Sequence, residues 1–101
     1  MARGGAGYET VPQATAEELV AAGKALVLDV RNPDEWTHLG TIPGAVALPM
    51  DLALAATATL PRDGRPILVC CEHGVRSAAV ARMLAAAGLP EVLNLAGGMA
   101  A

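Results

Sequence analysis

The chain has 101 residues, 53% of them hydrophobic, and a formal net charge of −3. That length suggests one domain with one core. The acidic balance, with no basic stripe, argues against a nucleic-acid partner, and no run of 18 or more uncharged apolar residues is present to cross a membrane.

Residues 1–7 are rich in Gly and Ala without periodicity and read as a flexible tail; residues 8–101 are expected to form the single domain. Met1-Ala2-Arg3-Gly4-Gly5 leads into no apolar segment, so no signal peptide is expected. We expect a cytoplasmic monomer with reduced thiols. With one Trp, one Tyr and no Phe, the core must come from Ala, Val, Leu, Ile and Met.

Tyr8 to Val11 can form a short first strand. Thr15-Ala16-Glu17-Glu18 is a capping-box pattern, predicting a helix with Thr15 as N-cap, Leu19 and Val20 inward, and an end at Gly23. Ala25 to Val30 is a nearly continuous apolar run, the pattern of a strand buried on both faces of a parallel sheet. Asn32-Pro33-Asp34-Glu35 opens a short second helix, with Asn32 capping, Pro33 at the first position and acids in the first turn. Trp36 is expected to anchor it. A short strand over 45–48 and an Ala/Leu helix over 50–58 follow. Pro66 to Cys70 is another buried strand, and residues 71–76 are a loop. Helical period returns from Ser77, with Val80, Met83, Leu84 and Ala87 as the inward stripe, and Gly88 ends it. Val92 to Leu95 is the last strand.

Alternating strands and helices imply an α/β fold: a central parallel sheet of about five strands with helices on both faces. Ligands of such sheets bind at the carboxyl ends of the strands. Asp29 and Cys71 both fall there.

Cys71-Glu72-His73-Gly74-Val75-Arg76-Ser77 joins a buried strand to a helix start. That junction leaves backbone N–H groups without helical partners, and the helix terminus adds partial positive charge. A thiolate at Cys71 is stabilised there, so its pKa should fall. Gly74 lets the loop turn its N–H groups inward. Arg76 offers a planar cationic fork for an oxyanion, and Ser77 can cap the helix. Glu72 opposes a thiolate if it points inward; we expect it to face solvent, with protonated His73 offsetting it. Cys70 should alternate into the sheet as a small hydrophobe. An adjacent Cys pair is a poor disulfide, and two cysteines are too few for a structural zinc site, so neither metal nor cofactor is expected.

The segment Cys71-x-x-Gly74-x-Arg76-Ser77 resembles the active-site loop of rhodanese-like sulfurtransferase domains. Leu28-Asp29-Val30-Arg31 with Glu35-Trp36, Ile42-Pro43-Gly44-Ala45, and Asn94-Leu95-x-Gly97-Gly98 resemble the family's other boxes, in family order over residues 8–99. The resemblance implies a rhodanese-like fold and an enzyme of thiosulfate sulfurtransferase type. Cys71 would take the outer sulfur of a donor (thiosulfate, polysulfide or a protein persulfide) and pass it from a persulfide to a thiol or cyanide acceptor. Asp29 and Arg31 would support the site, by tying the strand end to neighbouring loops or by orienting substrate. Thr41 stands where many relatives carry His, and His38 lies three residues earlier.

Two alternatives remain beside turnover. One is a persulfide relay or binding module acting between proteins. The other is a phosphatase-like or arsenate-reductase activity. Cys71 and Arg76 enclose four residues, whereas cysteine phosphatases need five, and the shorter loop makes a smaller cup, better matched to one sulfur atom. Glu72 makes free thiosulfate a weak donor and favours a protein persulfide or polysulfide.

Overall fold

A computed structural model describes residues 7–53, 55, 59–60, 63–89 and 91–100. Its elements alternate: β1 (Glu9–Val11), α1 (Gln13–Ala21), β2 (Leu26–Asp29), α2 (Pro33–Leu39), β3 (Val46–Ala47), α3 (Met50–Ala53), β4 (Ile67–Cys70), α4 (Val75–Ala86) and β5 (Val92–Leu95). The five strands form one sheet in the order β1-β5-β4-β2-β3. Every pairing is parallel. No helix among the described residues is long and apolar enough to cross a membrane.

The apolar runs explain the sheet's centre. Every residue of β2, β4 and β5 is buried, as parallel strands covered on both faces require. Alternation then deals successive side chains to two cores. Leu26, Leu28, Val30, Ile67, Val69, Cys71 and Val92 pack with Ala53 of α3 and with Val80, Ala81 and Leu84 of α4. Val27, Leu68, Cys70, Leu93 and Leu95 pack with Ala16 of α1 on the other face. The adjacent cysteines therefore point into opposite cores, and both are free thiols.

Three local expectations are corrected. Helix α1 begins two residues before Thr15, after an extended Pro12 at φ −70°. Gln13 Nε2 donates to the carbonyls of Ala96 and Gly98, both at 2.8 Å, which fixes where the helix must start; Thr15 and Glu18 are exposed. Helix α4 begins at Val75, with Gly74 at its N-cap in place of Ser77. Its buried stripe is Ser77, Val80, Ala81 and Leu84, while Met83 and Ala87 face solvent. Moving the start toward the loop brings a hydroxyl, where the pattern had a hydrophobe, onto the sheet. Finally, α3 runs only to Ala53 as described, and Ala55 lies in a turn; the rest of the expected helix over 50–58, at residues 54 and 56–58, lies outside the described residues, as do residues 1–6 of the expected tail.

Helix α2 follows the predicted opening. Asn32 is the N-cap, Pro33 is at the first position, and Glu35 accepts the Asn32 N–H at 2.9 Å. It has no buried residue. Trp36 is half-buried, with an indole N–H that finds no acceptor.

Candidate active site

Strand β4 ends at Cys70, and helix α4 starts at Val75. Between them the chain doubles back around the Cys71 sulfur. The N–H of Gly74 donates to Sγ at 3.0 Å, and that of Ser77 at 3.2 Å. The Ser77 hydroxyl oxygen lies 3.2 Å from Sγ. Burial works against ionisation of Cys71, but the Ser77 hydroxyl and the N–H groups of Ser77, Gly74 and His73 outweigh it, and the thiol lies below its ordinary value of 9.0. Cys70 shows the contrast. Burial, with the charges of Asp29 and Cys71 adding to the effect, pushes its thiol up to about 12.

The loop is held from behind. Gly74 adopts φ +88°, which only glycine takes up freely. Gly98 lies so close that a Cβ there would fall 2.4 Å from the Glu72 carbonyl carbon and oxygen. That approach lets the Met99 N–H donate to the Cys71 carbonyl at 2.8 Å and the Ala100 N–H to that of Glu72 at 2.9 Å. The closing Gly97-Gly98 segment is thus a backbone clamp on the loop.

Both arginines of the site are already engaged. Arg76 donates through its two terminal nitrogens to both carboxylate oxygens of Glu35, each at 2.7 Å. This holds the Glu35 carboxyl well down, at about 2. Arg76 therefore braces α4 against α2, and its fork is not held open as the sequence suggested. Arg31 is buried beside the buried Asp29, with Nη2 2.8 Å from Oδ2. The same guanidinium donates to the Gly40 carbonyl at 2.7 Å and to Glu72 Oε1 at 3.1 Å. Asp29 and Arg31 do tie the strand end to its neighbouring loops.

Contrary to the expectation that it faces solvent, Glu72 is paired with Arg31 at 19% side-chain exposure. Arg31, not His73, is the cation that offsets it; His73 is exposed. His38 is exposed on α2, and its Nδ1 lies 2.8 Å from the Asp34 carbonyl of its own helix. Val75, the first residue of α4, is 76% exposed.

Two residues of the family-like boxes take site roles that the sequence alone does not assign. Glu35, a first-turn acid of α2, pairs with Arg76. Asn94 accepts the Ser77 hydroxyl through Oδ1 at 2.5 Å; it is the one polar residue of an otherwise apolar buried strand, and that interruption was the available signal. No cluster of three or more His, Cys, Asp or Glu among the described residues is placed to hold a metal. A cavity of about 390 Å³ lies on the α1 face against Ala16, Val20, Ile42, Leu68, Leu95 and Met99. Cys71 does not line it. Anchoring a sulfur anion needs converging N–H donors more than volume, and those lie in the loop.

The chain is similar in sequence and fold to known proteins. The Rhodanese-like domain family matches residues 12–101. The thiosulfate sulfurtransferase GlpE of Coxiella burnetii is 32% identical over 91 residues, covering 90% of this chain and 83% of its own. A probable adenylyltransferase/sulfurtransferase, MoeZ, of Mycobacterium tuberculosis is 33% identical over 97 residues, covering 94% of this chain; the chain spans only 24% of that protein's length. The crystal structure of a rhodanese-related protein from Thermoplasma volcanium superimposes with a TM-score of 0.79 at 33% identity, over 91% of this chain and 87% of that one. With the matched span taking in every strand of the described sheet but β1, and the whole Cys71 loop, the chain belongs to the rhodanese-like domain family.

Proposed function

We propose that the chain is a sulfurtransferase working through a Cys71 persulfide. The observation that carries this reading is the convergence of the Gly74 and Ser77 N–H groups and the Ser77 hydroxyl on one buried sulfur. The thiolate attacks the outer sulfur of a donor. With thiosulfate, an S–S bond forms at Cys71, the donor's S–S bond breaks, and sulfite leaves with the bonding pair. A thiolate or cyanide then attacks the outer persulfide sulfur, and Cys71 departs as thiolate again. The N–H groups of the first turn of α4 have no intrahelical acceptors and favour negative charge at both stages.

The donor we favour is a protein persulfide or polysulfide over free thiosulfate. Both arginines of the site are spent on internal carboxylates, which leaves little to draw in a dianion. The same pairing supports a second reading, in which the domain relays sulfur between proteins with little turnover of small molecules. A reducing compartment such as the cytoplasm suits a thiolate kept free for attack.

Thiocyanate formation from cyanide tests the reading. Above the uncatalysed reaction of cyanide with each donor, wild type should form it from polysulfide faster than from thiosulfate, and Cys71→Ser should add nothing to either background. Equal rates in wild type and Cys71→Ser would refute it.

A further inference from the structure

Behind Cys71 lies a single file of hydrogen-bonding groups: Cys71 Sγ, Ser77 Oγ, the Asn94 amide and the Thr10 hydroxyl. The separations are 3.2, 2.5 and 3.4 Å in that order. The strands set the far end, since Thr10 of β1 is the register partner of Asn94 of β5. Ser77 is 0% exposed and Asn94 4%, so solvent water does not settle the hydrogen bonding between them.

The Ser77 hydroxyl carries one proton and faces two acceptors. With Cys71 as a thiol, S–H donates to Ser77 Oγ, the Ser77 hydroxyl donates to Asn94 Oδ1, and Asn94 Nδ2 donates to Thr10 Oγ1. When the thiol proton leaves to solvent, the sulfur becomes an acceptor only. The Ser77 hydroxyl turns to it, and Asn94 Oδ1 is left facing a lone pair of Ser77 Oγ. Turning the amide over resolves this: Nδ2 then donates to Ser77 Oγ, and Thr10, exposed and free to rotate its hydroxyl, donates to Oδ1. The amide's oxygen and nitrogen are nearly the same size, so the exchange needs no repacking. No proton but the thiol's changes its heavy atom.

We propose that Asn94 is a positioning residue for the Cys71 thiolate, its side-chain amide turning over as the thiol ionises, so that the donors run from Thr10 through Asn94 and Ser77 to the sulfur. The idea rests on Cys71 acting as a thiolate. The charged groups around the loop are Arg76 with Glu35 and Arg31 with Glu72 and Asp29. His73 is exposed on the loop, Tyr8 packs on the same core face, and Cys70 points to the opposite core. None of these stands in the file.

The test pairs two titrations of the whole chain. Iodoacetamide alkylation gives the midpoint of Cys71 ionisation, and 15N–1H NMR follows the Asn94 side-chain amide. The amide resonances should move with the alkylation midpoint in wild type and stay still in Cys71→Ser, which keeps His73 and Tyr8. Asn94→Asp, an acceptor in either orientation, should raise the midpoint and slow alkylation at pH 7 about tenfold. An Asn94 amide that stays fixed while Cys71 ionises overturns the proposal even if Asn94→Asp does not fold. An unchanged midpoint in folded Asn94→Asp overturns it too. A wild-type midpoint at or above the ordinary thiol value of 9.0 would defeat the underlying thiolate reading instead, a separate and recognisable failure.

Discussion

Arg76 holds both carboxylate oxygens of Glu35, each at 2.7 Å, and in doing so locks the first turn of α4 to the first turn of α2. This forked pair is charge-assisted and geometrically specific. It keeps the arginine of the Cys71 loop in place while withdrawing it from the anion cup. The same carboxylate caps α2 through the Asn32 N–H, so one side chain organises both helices.

That pair has a pH signature. Glu35 titrates at about 2 in the folded chain, against an ordinary 4.5. Between those values the unfolded chain binds the proton and the folded one does not. The stabilisation is therefore complete above about pH 4.5 and is lost as pH falls toward 2. Urea unfolding of wild type and Glu35→Gln should show a stability gap that is constant at neutral pH and narrows through that window. A gap that does not narrow there would contradict the pairing.

The Arg31–Asp29 pair should behave as a buried ion pair. Both side chains are 1% exposed. Arg31→Leu strands the Asp29 carboxylate and is expected to cost about 3–5 kcal/mol, whereas Asp29→Leu combined with Arg31→Leu should cost less than that single change. Chemical denaturation of the three proteins measures both. A double variant that loses as much stability as Arg31→Leu, or more, would show that the two residues do not act as a pair.

On the proposed function, Glu72 should weaken the response to thiosulfate. Glu72→Gln removes one negative charge beside Cys71 and leaves Arg31 held by Asp29 and by the Gly40 carbonyl. Its kcat/KM for thiosulfate should rise several-fold at low salt, and the gain should shrink as salt screens the loop. An unchanged or lower value at low salt would count against the electrostatic account.

Gly98→Ala tests the clamp. The new methyl would meet the Glu72 carbonyl carbon and oxygen at 2.4 Å, and the backbone sits at φ +72°. The conformation alone costs about 1–3 kcal/mol, and the overlap must push the loop away from Gly98. Thermal unfolding should show the loss. Cys71 alkylation should slow as well, because the displaced loop no longer aims its N–H groups at Sγ. A stable variant with unchanged alkylation would mean that Gly98 does not set the loop.

The sheet was legible because buried parallel strands are mostly apolar, and Leu26–Asp29, Ile67–Cys70 and Val92–Leu95 are apolar but for Asp29 and Asn94. The opposite fates of Cys70 and Cys71 followed from strand alternation. The placement of Cys71 at a strand end before a helix followed from element order. Side-chain pairing over long separations was not legible. Glu35 lies 41 residues from Arg76, and Glu72 lies 41 from Arg31, so local pattern assigns one to a helix's first turn and sends the other to solvent. Helix starts were misjudged where tertiary contacts outbid local capping. Gln13 is recruited by the Ala96 and Gly98 carbonyls. Ser77, a good cap by type, is drawn inward by Asn94.

The central claim is that Cys71 takes and gives a single sulfur atom. Mass spectrometry of the intact chain after incubation with polysulfide or thiosulfate, with peptide mapping, measures this directly. Wild type should gain one sulfur atom on Cys71 and lose it on addition of cyanide, while Cys71→Ser gains none. No adduct on wild type from either donor or from a persulfidated protein, or an adduct that maps to Cys70, would contradict the account.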